Sequence, residues 1–310
     1  MPIPVILDCD PGHDDALAIM LAVSDPSIDL LAVTTVAGNV TLENTTTNAL
    51  RVLDMVGRPD IPVAAGADRP RARDLSTAAS MHGDGGLQGP VPVAPSRGPS
   101  PLSAVDLIAR ILAEAPEPVT LVVTGPQTNA ADVLERLPHL HERIARIVFM
   151  GGAVDLGNWT PAAEFNIWVD PEAADVVMRS GVDLTMIGLE VTHQAWLTDA
   201  HADALRDRGD CGRFVAELLD HFVGFHQERF GWEGAPIHDA VAIAHLIDPT
   251  LVTTVTANVQ IELQSELCVG RTVVDRWHVT DRTPNCHVGL GIDRDRFVTL
   301  LMDRLSTLAY

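Results

Sequence analysis

Lysine is absent from this chain of 310 residues, because all 21 of its basic residues are arginine. A chain without lysine cannot form a Schiff base through a side-chain amine, nor can it use the lysine of a phosphate-binding loop. Positive charge is also outweighed, since 42 acidic residues give a formal net charge of −21. Sequence-independent binding of nucleic acid needs a basic surface, so we expect no nucleic-acid partner.

Cysteine, tyrosine and long apolar runs are sparse as well. The four cysteines are scattered without a C-x-x-C pair, and the single tyrosine is Tyr310. No secretory segment follows Met1, so we expect reduced thiols and a cytoplasmic location. No apolar run reaches the roughly 20 residues of a membrane-spanning helix, so we expect no membrane partner. The remaining composition, 46% hydrophobic and 20% charged, is typical of a globular protein with a sizeable core.

Short apolar runs alternate with helical patterns in the first part of the chain. The runs predict five buried strands, at 4–7, 30–36, 119–123, 146–149 and 183–188. The first three strands are followed by predicted helices over 14–23, 42–56 and 128–137. Strands that alternate with helices and lack polar alternation indicate an α/β fold, with a mainly parallel open sheet covered by helices on both faces.

The later part of the chain adds helices and a β pattern. We predict three helices, over 214–230, 240–246 and 294–305, and an antiparallel hairpin within 253–274. Residues 66–101 are rich in Gly, Pro, Ser and Arg, which indicates a long surface excursion of the kind that forms lids. Since no linker or internal repeat interrupts the chain, we expect a single domain over residues 1–310.

Four carboxylates crowd the junction between the first predicted strand and its helix. They are Asp8, Asp10, Asp14 and Asp15, within D-C-D-P-G-H-D-D. The helix dipole explains two acids in a first turn, at about 0.3–1 kcal/mol each. It does not explain four, because like charges in a partly desolvated cleft repel one another strongly. A hard cation such as Ca²⁺ or Mg²⁺ removes that repulsion, so the cluster predicts a metal site.

Polar residues also follow the other predicted strands. Asn39, Thr124 and Met150 come after the second, third and fourth strands, respectively. Ligands of open parallel sheets bind beyond the carboxyl ends of the strands, so we expect these residues to converge on Asp10. The alternative for Asn39 and Thr124 is that they only cap helices.

Three later segments carry further candidates. Glu164 and Asn166 share one face if the chain there is extended, and a carboxylate with an amide suits sugar hydroxyls. His238 and Asp239 open a predicted helix, where the acid can join the metal and the histidine can transfer protons. The alternative is a capping acid beside a surface histidine. His82 lies in a glycine-rich segment that we predict to be a flexible loop able to close over a ligand.

These residues belong to a series of motifs that runs through nearly the whole chain. The series consists of D-C-D-P-G-H-D-D-A at 8–16, A-G-N at 37–39, H-G at 82–83, T-G-P-Q-T-N at 124–129, M-G-G at 150–152, E-F-N at 164–166 and H-D-A at 238–240. In content and order it resembles the inosine–uridine-preferring nucleoside hydrolase family, whose signature is D-x-D-P-G-x-D-D-A. The resemblance implies that family's α/β fold and the hydrolysis of ribonucleosides to ribose and a free nucleobase.

The resemblance also implies a Ca²⁺ cofactor and a role for each site residue. The metal ligands would be Asp10, Asp15, Asp239 and the main-chain carbonyl of Thr124. Asp10 would be the catalytic base that takes a proton from a calcium-bound water, and His238 would be the acid for the leaving base. The ribose would be bound by Asp14, Asn39, Met150, Asn158, Glu164, Asn166 and Asp239. Asp8 would orient the ligating residues without binding the metal itself.

The base side of the implied site is less defined. It would be formed by His82, His226 and Phe230, and either His82 or His238 would protonate the leaving group. Family members commonly offer tyrosines there and this chain has none, so inosine, uridine, cytidine and adenosine all stay open as substrates. The resemblance further implies a homodimer or homotetramer.

Two other functions stay open. Haloacid-dehalogenase-like phosphohydrolases also carry D-x-D after a buried strand, but here Pro11 follows the motif and no lysine is present. A non-catalytic nucleoside-binding protein would keep the fold and lose a base or a metal ligand, whereas every expected position is occupied.

Overall fold

A computed structural model describes residues 1–91 and 93–308. Its strands are β1 (Ile3–Cys9), β2 (Ile28–Thr35), β3 (Val63–Ala65), β4 (Val119–Val123), β5 (Ile144–Met150), β6 (Leu184–Ile187), β7 (Trp196–Leu197), β8 (Ala235–Pro236), β9 (Val252–Ile261), β10 (Thr272–Asp275) and β11 (Cys286–Ile292). Its helices are α1 (His13–Ser24), α2 (Leu42–Met55), α3 (Ala79–His82), α4 (Ala104–Glu114), α5 (Thr128–Arg136), α6 (Phe165–Val169), α7 (Pro171–Met178), α8 (Leu189–Thr192), α9 (Asp199–Arg206), α10 (Gly209–Phe230), α11 (His238–Ile247) and α12 (Arg294–Thr307). Short 3-10 turns cover Pro138–Arg143 and Pro249–Leu251.

Nine of these strands form one sheet, in the order β10-β9-β11-β6-β5-β4-β1-β2-β3. The pairs from β3 through to β11 are parallel, and β9 and β10 add an antiparallel edge. Strands β7 and β8 form a separate antiparallel pair. The antiparallel pairing of β9 with β10 confirms the predicted hairpin.

Helices cover both faces of the sheet, and each face has its own hydrophobic core. Side chains alternate along a strand, so Val5 and Leu7 of β1 point to the core with α1, α2, α10, α11 and α12. Ile6 points to the opposite core, with α4, α5 and α7. Burial on both faces is why these strands are almost wholly apolar. This arrangement confirms the predicted fold class.

Some elements differ from the sequence-based expectation. The short strand β3 and the glycine-containing strand β11 were not predicted, because one lacks the length and the other the apolar run of a clear strand. The prediction of a flexible loop at His82 is wrong. His82 ends helix α3 and is only 4% exposed, because its ring packs against His13 of α1.

The parallel strands bring distant residues to one edge of the sheet. Strands β1, β2, β4 and β5 end at this edge; a predicted site residue follows each of the first three, and Met150 is the last residue of β5. In the part of the chain that the structure describes, no helix is both long and apolar enough to cross a membrane.

We propose that residues 1–310 form one domain, because the last helix packs into the same core as the first. Leu301 of α12 is fully buried in the core that contains α1. Leu301→Ala is therefore expected to lower the free energy of unfolding by about 2–5 kcal/mol, measured from a single cooperative urea transition. Leu267 is 83% exposed, so Leu267→Ala is the matched control and should change stability by less than about 0.5 kcal/mol. Two separate transitions, with only one affected by Leu301→Ala, would contradict a single domain.

Candidate active site

A pocket opens at the carboxyl edge of the parallel strands. It measures about 720 Å³ when the open solvent at its mouth is included. Among the residues that line it are the predicted Asp14, Asn39, His82, Thr124, Met150, Asn158, Glu164, Asn166, His226, Phe230, His238 and Asp239. Asp10 and Asp15 are fully buried and do not line the pocket. The expected convergence of Asn39, Thr124 and Met150 at the strand ends is thus confirmed, and Asn39 contacts the buried Asp10.

Three carboxylates converge at the floor of the pocket. Asp14, Asp15 and Asp239 each offer an oxygen, and these oxygens lie within 4.8 Å of one another. The turn at Pro11 and Gly12 starts α1, and the Gly12 N–H donates to Asp15 Oδ2 at 3.0 Å. Asp239 reaches the same point from the first turn of α11. Residues more than two hundred positions apart therefore form one acidic cluster.

Asp15 accepts hydrogen bonds from three different segments, of which the turn at Gly12 is described above. Thr124 Oγ1 donates to Asp15 Oδ1 at 2.7 Å, and Asn39 Nδ2 donates to Asp15 Oδ2 at 3.2 Å. The main-chain oxygen of Thr124 accepts from Asn166 Nδ2 at 2.7 Å. The ends of β2, β4 and the start of α6 are thus tied together by side chains that also line the pocket.

Asp10 lies between two glycines that allow its close packing. Its Oδ2 accepts from the Asn39 N–H at 2.6 Å, whereas its Oδ1 has no hydrogen-bond partner among the described residues. A Cβ atom on Gly38 would lie 2.1 Å from Asp10 Oδ2, and one on Gly125 would lie 2.7 Å from Oδ1. Any larger residue at these two positions would displace the carboxylate.

Burial raises the pKa of each carboxyl group in the cluster, and neighbouring acids add to the rise at Asp10, Asp14 and Asp239. Burial is the larger cause for Asp10 and Asp239, whose pKa values lie well above the ordinary range, and neighbouring acids add to it. Burial, reinforced by Asp15, raises the pKa of Asp14 to about 7. Burial also raises the pKa of Asp8 to about 6, although Thr34 and Asn129 donate to this carboxylate.

The residues present fit a hard divalent cation. The donor set consists of carboxylate, amide and carbonyl oxygens, which such cations prefer. One oxygen each of Asp10 and Asp14 is buried without a hydrogen-bond partner in the described chain. Buried polar atoms are normally paired, so two unpaired carboxylate oxygens beside three converging acids indicate a missing positive charge.

The wall of the pocket beyond the acids is polar. The Glu164 carboxylate accepts from the N–H groups of Gly152, Asn166 and Ile167, at 2.9, 2.9 and 3.2 Å. Burial nevertheless raises its pKa to about 7. The assumption of an extended chain here is wrong: Glu164 caps α6 and Asn166 lies in its first turn, because this carboxylate satisfies the free N–H groups of the helix.

Another part of the lining, the aromatic wall, consists of histidines and aromatic rings. Trp232 stacks on His226 and on Phe230, with ring centroids 5.7 and 4.9 Å apart. His193 meets both Trp232 and His238 edge to face. The sequence-based prediction missed His193 as a site residue and did not select Trp232 for the base side. The strand-end rule, applied to β6 as well, would have pointed to His193, which follows that strand within one short helix.

The two candidate acids are histidines, of which His82 is buried and His238 is half-buried. Burial, and secondarily the neighbouring histidines, lowers the pKa of His82 and of His238 well below the ordinary value. His238 Nδ1 lies 2.7 Å from Thr192 Oγ1, which orients this ring. Both histidines are therefore neutral near pH 7.

The fold and site together define an α/β enzyme with a buried acidic centre beneath a small-molecule pocket. Residues 5–299 match the model of the inosine-uridine preferring nucleoside hydrolase family. The chain belongs to this family and is a ribonucleoside hydrolase. The family is metal-dependent, in agreement with the acidic cluster. This assignment overturns the alternative of a haloacid-dehalogenase-like phosphohydrolase.

Similar proteins cover the chain almost completely. Proteins named pyrimidine-specific ribonucleoside hydrolase RihA are 51% identical in Citrobacter koseri and 50% identical in Klebsiella pneumoniae, in each case over 99% of both chains. A solved structure of a purine-preferring ribonucleoside hydrolase from Gardnerella vaginalis is 36% identical. It superposes with a TM-score of 0.94 over 99% of both chains.

The raised carboxyl pKa values predict how pH changes stability. Asp14 has a pKa of about 7 in the folded chain, instead of the ordinary 3.8. Protein whose cations have been removed by a chelator is therefore expected to lose free energy of unfolding as the pH rises between these two values. A divalent cation should therefore raise the melting temperature more at pH 8 than at pH 5. Asp239→Asn should weaken this difference, whereas the control Asp60→Asn, on the exposed surface, should not. Equal stabilisation at both pH values would contradict the assignment of these acids as a cation site.

Proposed function

We propose that this chain hydrolyses the N-glycosidic bond of pyrimidine ribonucleosides in a calcium-dependent reaction. The products are ribose and the free base. The observation that carries the proposal is the convergence of Asp14, Asp15 and Asp239 under a pocket with one polar wall and one aromatic wall. The polar wall suits a ribose, and the aromatic wall suits a planar base.

The proposed ligands of the ion are Asp10, Asp15, Asp239 and the carbonyl oxygen of Thr124. Ca²⁺ takes about six to eight oxygen ligands in flexible geometry, whereas Mg²⁺ keeps several of its own waters. A site rich in protein oxygens next to a pocket for sugar hydroxyls therefore suits calcium better. When bound, the ion would make a coordinated water more acidic.

The chain's own side chains supply the other parts of the proposed mechanism. Asp10 is the general base for the attacking water, since its Oδ1 is free of hydrogen bonds within the described residues. Asp14, Asn39, Asn166 and Asp239 orient the 2′- and 3′-hydroxyls, and Asn158 and Glu164 hold the 5′-hydroxyl while Met150 packs against the ribose. The nearby carboxylates stabilise the positive charge that develops on the sugar carbon as the bond breaks.

His238 is the proposed donor to the departing base. Its Nδ1 is occupied by Thr192, which leaves Nε2 for the base. His82, His226 and Phe230 form the rest of the base side in this proposal. A neutral histidine with its proton on Nε2 keeps that proton and donates a hydrogen bond to the departing base, which leaves with negative charge and takes its proton from water.

Replacement of the proposed base tests the mechanism directly. Asp10→Asn is expected to lower kcat by several orders of magnitude, because the amide cannot accept the proton from the attacking water. The measurement is a reducing-sugar assay with uridine, with and without a strong chelator, which should abolish the wild-type activity. Asp60→Asn, on the exposed surface, is the matched control. Near-normal turnover by a folded Asp10→Asn variant would refute this assignment.

The pyrimidine preference rests on the more similar relatives. The two RihA proteins are 50–51% identical to this chain, whereas the purine-preferring enzyme is 36% identical. We therefore expect kcat/KM for uridine and cytidine to exceed that for inosine by more than about tenfold, equivalent to about 1.4 kcal/mol. Competition between uridine and inosine in one reaction measures this ratio. A ratio below one would reverse the proposed preference and leave the hydrolase activity intact.

Assembly and location complete the proposal. We propose that the chain forms a homodimer or a homotetramer, because the family resemblance implies one. Light scattering measures the mass of the particle in solution. We also propose a cytoplasmic enzyme of nucleoside salvage, in keeping with the free thiols of Cys9, Cys211, Cys268 and Cys286.

A further inference from the structure

His13 occupies the variable position of the D-P-G-x-D-D motif, and the mechanism above gives it no role. Its side chain is 1% exposed and does not line the pocket. A buried histidine costs free energy unless its nitrogens are hydrogen-bonded, and an apolar residue would fill the same space more cheaply. The contacts of both His13 ring nitrogens therefore need an explanation.

One nitrogen of His13 anchors the ring to the segment after α3. His13 Nε2 lies 2.8 Å from the main-chain oxygen of Gln88. A carbonyl oxygen only accepts, so the proton of this bond lies on His13 Nε2. The Gln88 N–H donates to the His82 oxygen at 3.2 Å, which closes the segment 82–88 on itself. Phe222 supports the ring from α10, with parallel planes and centroids 5.1 Å apart.

The other nitrogen of His13 meets His82. The two Nδ1 atoms are 3.1 Å apart, and the His13 main-chain N–H also points at His82 Nδ1, at 3.3 Å. The ring centroids are 5.3 Å apart and the planes are inclined by 27°. Gly12 makes this approach possible, since a Cβ atom there would lie 2.5 Å from His82 Nδ1. Because the His13 proton lies on Nε2, His13 Nδ1 accepts at this contact and His82 Nδ1 donates, so the His13 main-chain N–H at 3.3 Å is a close approach and not a second hydrogen bond.

The contact at Nδ1 leaves the other ring nitrogen of His82, Nε2, for a different partner. His82 lines the pocket, and its Nε2 has no hydrogen bond within the part of the chain that the structure describes. A histidine whose Nδ1 is engaged presents only Nε2 to a ligand, and the engaged partner also limits rotation of the ring. An unheld ring at the end of a four-residue helix would sample several rotamers.

We propose that His13 is a positioning residue for His82, which holds Nδ1 of that ring and reserves Nε2 for the nucleobase. The inference rests on the proposed function only for the identity of the ligand. The contact between His13 and His82 is independent of it. The competing explanation is that His13 only fills space, or acts on the adjacent Asp14 and Asp15 instead of on His82.

Nitrogen NMR tests the contact without any catalysis. ¹⁵N shifts of His82, identified by the signals lost in His82→Phe, are recorded for the wild type and for His13→Phe. We expect the Nδ1 signal to change in His13→Phe, and uracil to move the wild-type Nε2 signal but not Nδ1. An unchanged Nδ1 signal in His13→Phe would overturn the proposal. If uracil does not move the wild-type Nε2 signal, while His13→Phe still changes the Nδ1 signal, the result would count against the proposed substrate and not against the positioning role.

A double-mutant cycle tests whether His13 acts through His82. His13→Phe keeps an aromatic ring against Phe222 and removes both nitrogens, and we expect it to lower kcat/KM for uridine by about 10–100-fold. In the His82→Phe background the same change should cost less than about threefold, because the group that it positions is gone. An equal loss in both backgrounds would show that His13 acts on the acidic cluster or on packing, and would overturn the proposal.

Two further variants complete the test. His221 also packs on His13, with ring centroids 5.1 Å apart, but does not line the pocket, so His221→Phe should leave kcat/KM unchanged. His13→Asn keeps a polar atom near the position of Nδ1 and should recover most of the activity that His13→Phe loses. If His13→Phe does not fold, His13→Gln makes the same comparison, because it retains a donor for the Gln88 oxygen and lacks Nδ1.

Discussion

The repulsion among buried carboxylates is the constraint on which the rest of this structure depends. Asp10, Asp14, Asp15 and Asp239 are all 5% exposed or less; burial raises the pKa of each, and repulsion by neighbouring acids adds to the rise at Asp10, Asp14 and Asp239. A folded chain tolerates such a cluster only if hydrogen-bond donors and a cation compensate for it. The donors are Thr124, Asn39 and the turn at Gly12, each placed by the end of a strand or the start of a helix. The sheet therefore serves as a frame that holds unfavourable charges in place.

The two walls of the pocket differ in the interactions that they offer, which are directional hydrogen bonds in the polar wall and ring surface in the aromatic wall. In the polar wall, Glu164 and Asn166 are fixed by backbone donors and acceptors, so their polar atoms are rigid before a ligand arrives. In the aromatic wall, stacked rings such as Trp232 and His226 offer area without directional bonds. We propose that the polar wall contacts the ribose, which is common to all ribonucleosides, and that the aromatic wall contacts the base.

Much of the fold, and the convergence of most candidate residues on one pocket, could be predicted from the sequence. The strand β4 was predicted with its observed bounds, and the parallel order of the strands made Asn39 and Thr124 converge with Asp10. Elements without a periodic signal, such as β3, escaped prediction because three residues are too few to show a period. The burial of His82 could not be read from its glycine-rich surroundings, because it depends on the ring of His13, 69 positions away. The aromatic wall was found only in part for the same reason.

The spacing of the acidic cluster along the chain has a consequence for biosynthesis. Asp10 and Asp15 leave the ribosome early, whereas Asp239 follows only after more than two hundred further residues. A growing chain therefore carries an acid-rich segment that lacks its last carboxylate partner for most of its translation. Binding of the ion and completion of the sheet become coupled late events, so a prematurely truncated chain would have neither a finished core nor a metal centre.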